Sequence, residues 1–140
     1  MVRGYSAFQV FRSDVLRALA LAERVVEVLP EDDRLRCHEV ARIVREVIGF
    51  GVVEDGTYGQ GPRVLPVDHS WIVLRVMGRT RHVLDPYAVG RLPPVQVAEV
   101  GFPLDDPYVA GKPRSDVRED VVKEGLRAVR DRLPRYYLVG

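Results

Sequence analysis

The chain contains no asparagine, a single cysteine and only two lysines, Lys112 and Lys123. Each shortage excludes something. Without asparagine a Cys-His-Asn set is impossible, so the third member of any thiol-based site has to be Asp, Glu or Gln. A lone cysteine, Cys37, excludes an internal disulfide and a Cys-x-x-Cys zinc site. The four serines, Ser6, Ser13, Ser70 and Ser115, all lie outside a Gly-x-Ser-x-Gly elbow. The three histidines, His38, His69 and His82, form neither His-Glu-x-x-His nor His-x-His. Long apolar runs are also missing, so no transmembrane helix is expected. Met1 to Ser6 has no apolar stretch of signal-peptide type, and a cytoplasmic location is the simplest expectation. A formal net charge of +1 creates no field that would gather nucleic acid or an anionic membrane, so neither is expected as a partner.

What is present suits one globular domain over residues 1–140. With 46% apolar and 29% charged residues, 140 residues can bury a core without a disulfide. Ser13 is a natural N-cap for a helix over Asp14 to Leu29, apolar around most of its circumference and so expected to be well buried. A second helix is predicted from about Asp33 to Ile48, with Val40, Ile43, Val44, Val47 and Ile48 as its stripe and Gly49 or Gly51 as its stop. The period then changes. Strands are predicted at Val52–Tyr58, His69–Met77, Thr80–Asp85 and Val95–Val100. Phe102–Arg114, with three prolines, reads as a loop. Ser115 caps a last amphipathic helix, and Tyr136–Val139 could dock as an edge strand. Helices, then hairpin-spaced strands, then a helix make an α+β domain with an antiparallel sheet.

Three residues could carry chemistry. Cys37 stands near the start of the second helix, His69 opens the strongest strand and Asp85 ends the next. A thiol, an imidazole and a carboxylate are the parts of an activated nucleophile, its base and the group that orients the base. Cys37 shares a helical side with Val40, Ala41 and Val44 and so faces the sheet, whereas His38 falls nearer Arg42 and Arg45. Neighbours on a helix diverge by about 100°, so Cys37 is expected to meet His69 and not His38. If Asp33 is the N-cap, Cys37 lies beyond the strongest part of the helix dipole.

Hairpin register gives a sharper condition. A two-residue loop would put His69 and Asp85 on opposite faces. A loop of three, with Val76 opposite Thr80, makes His69 a diagonal neighbour of Asp85 on one face. Other readings of the same residues are a core cysteine and a zinc site using Cys37, His69 and Asp85 with His82. His82 alternates away from Asp85, and no metal or other cofactor is expected.

Asp68-His69-Ser70-Trp71-Ile72-Val73 and Val83-Leu84-Asp85-Pro86-Tyr87 resemble the transglutaminase-like superfamily of cysteine enzymes. Its members pair a His-x-Trp strand opening with an Asp-Pro at the next strand's end, and carry a Cys heading a helix. The resemblance covers about residues 33–90 and implies a papain-like α+β core. It also implies Cys37 as nucleophile, His69 as base and acid, and Asp85 as orienter, acting on an amide or thioester of a peptide or protein substrate by hydrolysis or acyl transfer. The family includes non-catalytic members, so a peptide-binding module on the same fold is the alternative. Arg36-Cys37-His38-Glu39 departs from the aromatic neighbour usual beside the family's Cys. Trp71, Tyr58 and Gln60 are the candidate substrate-binding residues.

Overall fold

A computed structural model describes residues 12–59, 65–76, 80–87, 96–100 and 107–134. In chain order these form α1 (Arg12–Val28), α2 (Cys37–Ile48), β1 (Val52–Tyr58), β2 (Val67–Val76), β3 (Thr80–Asp85), β4 (Gln96–Val100), β5 (Tyr108–Ala110) and α3 (Glu119–Arg132). The strands make one sheet in the order β4-β3-β2-β1-β5, and every neighbouring pair is antiparallel. The domain is therefore α+β, as composition and period imply. None of the described helices is long and apolar enough to cross a membrane.

Alternation along β2 and β3 divides the core between the two sheet faces. Ile72, Leu74 and Leu84 face the helices and pack with Val25 of α1, Ile43 and Val44 of α2, and Val129 of α3. Trp71, Val73 and Val83 face the other way and pack with Tyr108. Helix α2 is the centre of the helical layer, touching α1, α3, β1 and β2. Its stop is Gly49, whose φ of 85° is the left-handed cap that a side chain would disfavour.

Four expectations change. First, α2 starts at Cys37 and not near Asp33. Asp32 spends its carboxylate on a local turn, accepting from the Arg34 N–H at 2.9 Å, while its carbonyl accepts from Leu35 N–H. That turn competes with the helix, as Asx residues do. Second, α1 is buried along one side only: Val15, Ala18, Ala22 and Val25 are buried, but Leu16 is 63% exposed. Third, the proline-rich segment contains β5, which pairs with β1 through Gly56↔Ala110 and Tyr58↔Tyr108. An edge strand tolerates flanking prolines because one side of its ladder is unused. Fourth, α3 begins after Arg118, later than a Ser115 cap would give. The suggested Tyr136–Val139 strand lies outside the described residues.

Candidate functional site

The β2–β3 register pairs Val76 with Thr80 and Ile72 with Leu84. This is the odd spacing that puts His69 and Asp85 on one face. Their side chains meet there: His69 Nε2–H donates to Asp85 Oδ2 at 2.8 Å, and both residues are essentially fully buried. Asp85 is held in turn by the Tyr108 hydroxyl at 2.9 Å on Oδ2 and by the Tyr87 N–H at 3.1 Å on Oδ1. Pro86 stops the strand, and the chain bends back so that Tyr87 N–H can cap the carboxylate. The ring of His69 lies among aromatics, with Tyr58 edge-on at 5.9 Å and Trp71 and Tyr108 tilted at 6.1 and 6.4 Å.

β3 ends at Asp85, where one further register step would oppose it to Trp71. Residues 67–70 of β2 therefore extend past β3 and leave a notch beside the sheet's central strand. The tip of α2 lies beside these residues, with His38 Nδ1 on Ser70 Oγ at 2.6 Å. At this tip Cys37 acts on His69, from the aromatic face, by favouring the charged ring. Burial works against a charged His69 ring, but Asp85 and then Cys37 outweigh it and push its pKa up to about 9. With Nε2 bound to Asp85, Nδ1 is the nitrogen left for the sulfur.

Cys37 is the first residue of α2, with Arg36 as N-cap. The start expected at Asp33 is thus displaced, and the sulfur sits at the positive helix end. Glu39 fixes this start. Buried at 0% exposure, it accepts from the Arg36 N–H at 3.2 Å and from the Arg36 guanidinium at 2.9 and 2.8 Å. It also accepts from the N–H of Arg118, the N-cap of α3, at 3.2 Å. Burial alone would raise its pKa, but these donors hold it below the ordinary value.

The structure corrects the expected separation of Cys37 from His38. His38 is 5% exposed, and both its ring nitrogens lie near the Cys37 sulfur, Nδ1 at 3.5 Å and Nε2 at 3.7 Å. Side chains of the first turn lean toward the helix N-terminus, and a ring is long enough to sweep back over the preceding residue. His38 Nδ1 also meets Ser70 Oγ at 2.6 Å, and Ser70 donates to Asp55 Oδ1 at 2.5 Å. Asp55 is paired to Arg42 at 3.1 and 2.8 Å and accepts from the Arg114 N–H at 3.1 Å. Ser70 and Asp55 are direct cross-strand partners on the helix-facing side.

Of the candidate binding residues, Trp71 is fully buried and its Nε1–H donates to Glu54 at 2.9 Å. Tyr58 is half-buried against Tyr108, with ring centroids 5.0 Å apart. Gln60 lies outside the described residues. Beside the Asp85 end of β3 a cleft of about 580 Å³ runs between the α1–α2 connection and Pro86-Tyr87. Leu29, Pro30, Leu35 and Val40 line it, with Glu31 and Asp33 among its acidic groups. Among the described residues no group of three or more His, Cys, Asp or Glu is arranged to hold a metal ion.

Sequence reasoning missed Tyr108, Ser70, Asp55 and the cleft. Two signals were available. Asp106-Pro107-Tyr108 repeats the Asp85-Pro86-Tyr87 triplet, and Ser70 and Asp55 are polar at positions where alternation demands an apolar side chain. Compared with known proteins, the chain matches no family model, no curated protein and no solved structure.

Proposed function

We propose that this chain is a cysteine-dependent hydrolase or acyltransferase acting on an amide or thioester, with Cys37 as nucleophile, His69 as acid and base, and Asp85 as orienter on a papain-like, transglutaminase-like core. One observation carries the reading: a buried imidazole, locked to a carboxylate at 2.8 Å and favoured in its charged form, beside a sulfur at a helix N-terminus. An imidazolium next to sulfur stabilises the thiolate, which is the attacking species. The thiolate adds to the carbonyl carbon, and His69 then gives its proton to the leaving group. Backbone N–H groups of the first helical turn, Cys37 and His38, have no intrahelical acceptor and suit the developing oxyanion. The cleft beside Pro86 and Tyr87 has the apolar lining and acidic groups to take a peptide side chain, so a peptide or protein is the substrate class.

The test is alkylation of Cys37 by iodoacetamide, followed by mass spectrometry from about pH 5 to 9. Labelling that is already fast near neutral pH, and slowed more than tenfold by His69→Ala, supports the reading. Labelling at the rate of a free thiol, unchanged in His69→Ala, defeats it. A second reading has its own support: Cys37 is 9% exposed and His69 1%, which suits a non-catalytic peptide-binding module on the same fold. That module predicts slow labelling, with bound peptide leaving the thiol rate unaltered.

A further inference from the structure

The sulfur of Cys37 is flanked by two histidines, and only one is used above. His38 belongs to a separate chain of hydrogen bonds running to Ser70, Asp55 and Arg42. The chemistry of that chain fixes where its protons are. Asp55 is paired with Arg42, so its carboxylate accepts. The single hydroxyl proton of Ser70 therefore goes to Asp55. Ser70 Oγ must then accept from His38, which places a proton on Nδ1 and leaves Nε2 of the neutral ring with its lone pair. The sulfur is almost equidistant from the two nitrogens, at 3.5 and 3.7 Å, so both stand beside it. Nε2, which Ser70 does not engage, is therefore within reach of whatever approaches a group bound to the sulfur.

The groups around the ring favour the neutral form. Burial acts first, then the Arg114 and Arg36 charges, all lowering the pKa, against Glu39 and Asp55, which raise it. His69 is shifted the opposite way. Two imidazoles on one sulfur, set apart in this manner, suit an acid and a base for different steps.

We propose that His38 is the base of the second half-reaction, taking a proton at Nε2 from the water or amine that attacks the acyl group on Cys37. This rests on the nucleophile reading above. In the first half-reaction His69 surrenders its proton to the leaving group and becomes neutral. In the second, an acceptor O–H or N–H proton moves to His38 Nε2 while the acceptor's lone pair bonds to the carbonyl carbon. The carbonyl π pair shifts to oxygen. On collapse C=O re-forms, the C–S bond breaks, and its electron pair returns to Sγ as thiolate. The proton on His38 then crosses the sulfur to His69 Nδ1, restoring the starting thiolate–imidazolium pair. With an amine the products are a new amide and the released amine; with water, a carboxylic acid that ionises.

The experiment uses the intact chain and p-nitrophenyl acetate as acyl donor. The p-nitrophenolate burst reads acylation, and mass spectrometry reads the Cys37 acetyl adduct. His38→Gln is expected to keep the burst within about threefold of wild type. Its steady-state turnover should fall on the order of 10²–10⁴-fold, with the adduct accumulating. Ser70→Ala, which leaves the imidazole in place but frees its tautomer, is expected to slow turnover by a smaller factor with the burst retained. Unchanged turnover in both variants overturns the assignment of His38 while leaving Cys37 as nucleophile. Equal loss of burst and turnover in both also overturns it, making His38 structural. No adduct on wild-type Cys37 overturns the nucleophile reading and this one with it.

Discussion

His69 is pulled in two directions, and the winner ties stability to pH. Burial favours the neutral ring; Asp85 and the Cys37 sulfur favour the charged one and prevail, carrying the pKa from 6.5 to about 9. A folded value above the unfolded one means the charged ring stabilises the fold fully below about pH 6.5. That contribution drains away as pH rises through 9. Its size is about 3 kcal/mol. Asp85→Asn is expected to return the His69 ring to an ordinary or lower pKa and to flatten stability between those limits. Ring proton NMR titration with urea denaturation at several pH values checks both, and an unaltered titration would contradict the geometry. Tyr108→Phe removes one of the two donors on Asp85 Oδ2 and should shift the His69 titration by less than Asp85→Asn does. Strand alternation is rigid, so the His69–Asp85 pair was legible in the sequence on one condition, a three-residue loop between Val76 and Thr80, which the spacing alone did not choose. His38 was not legible, because a helical wheel treats side chains as spokes and ignores their lean toward the N-terminus.

At the scale of elements, the start of α2 is set by one buried carboxylate. Glu39 accepts from Arg36 and from the first residue before α3, so it joins two helix beginnings. Glu39→Ala leaves these donors without their acceptor, and a loss of about 3 kcal/mol is expected. Chemical denaturation measures it. Cys37 alkylation should slow in the same variant, because the helix tip is no longer fixed. β1 and β5 meet at a second close point. A Cβ on Gly56 would overlap the Val109 carbonyl oxygen and press on the Trp71 ring. Gly56→Ala should therefore cost about 2–3 kcal/mol. It should also speed hydrogen exchange at Gly111, whose N–H donates to the Asp55 carbonyl at 2.8 Å. Strand positions β1 to β3 followed from alternation and turn residues. The start of α2 and the existence of β5 did not, since each depends on a partner remote in sequence or on a side chain choosing a local turn over a helix.

Across the whole molecule, one sheet carries two cores. The helical side holds Ile72, Leu74 and Leu84, and the aromatic side holds Trp71, Val73 and Val83, all from the same two strands. Neither side can lose its packing without disturbing the strands that serve the other. Unfolding should therefore be a single transition. Trp71 is the only tryptophan and lies on the aromatic side, so its fluorescence reports that core while far-ultraviolet circular dichroism reports the helices. Coincident melting curves are expected; an earlier fluorescence transition would show that the site's surroundings loosen before the helical layer. Leu84→Ala, at a fully buried helix-side position, should lower both curves together, by about 2–5 kcal/mol of stability.

The connection between Val76 and Thr80 acts as a parity rule on the whole chain. Removing or adding one residue there would leave composition, core volume and helix packing nearly intact, yet turn the Asp85 carboxylate away from the His69 ring. A lineage could part these two side chains, or rejoin them, by a single codon insertion far from the sulfur.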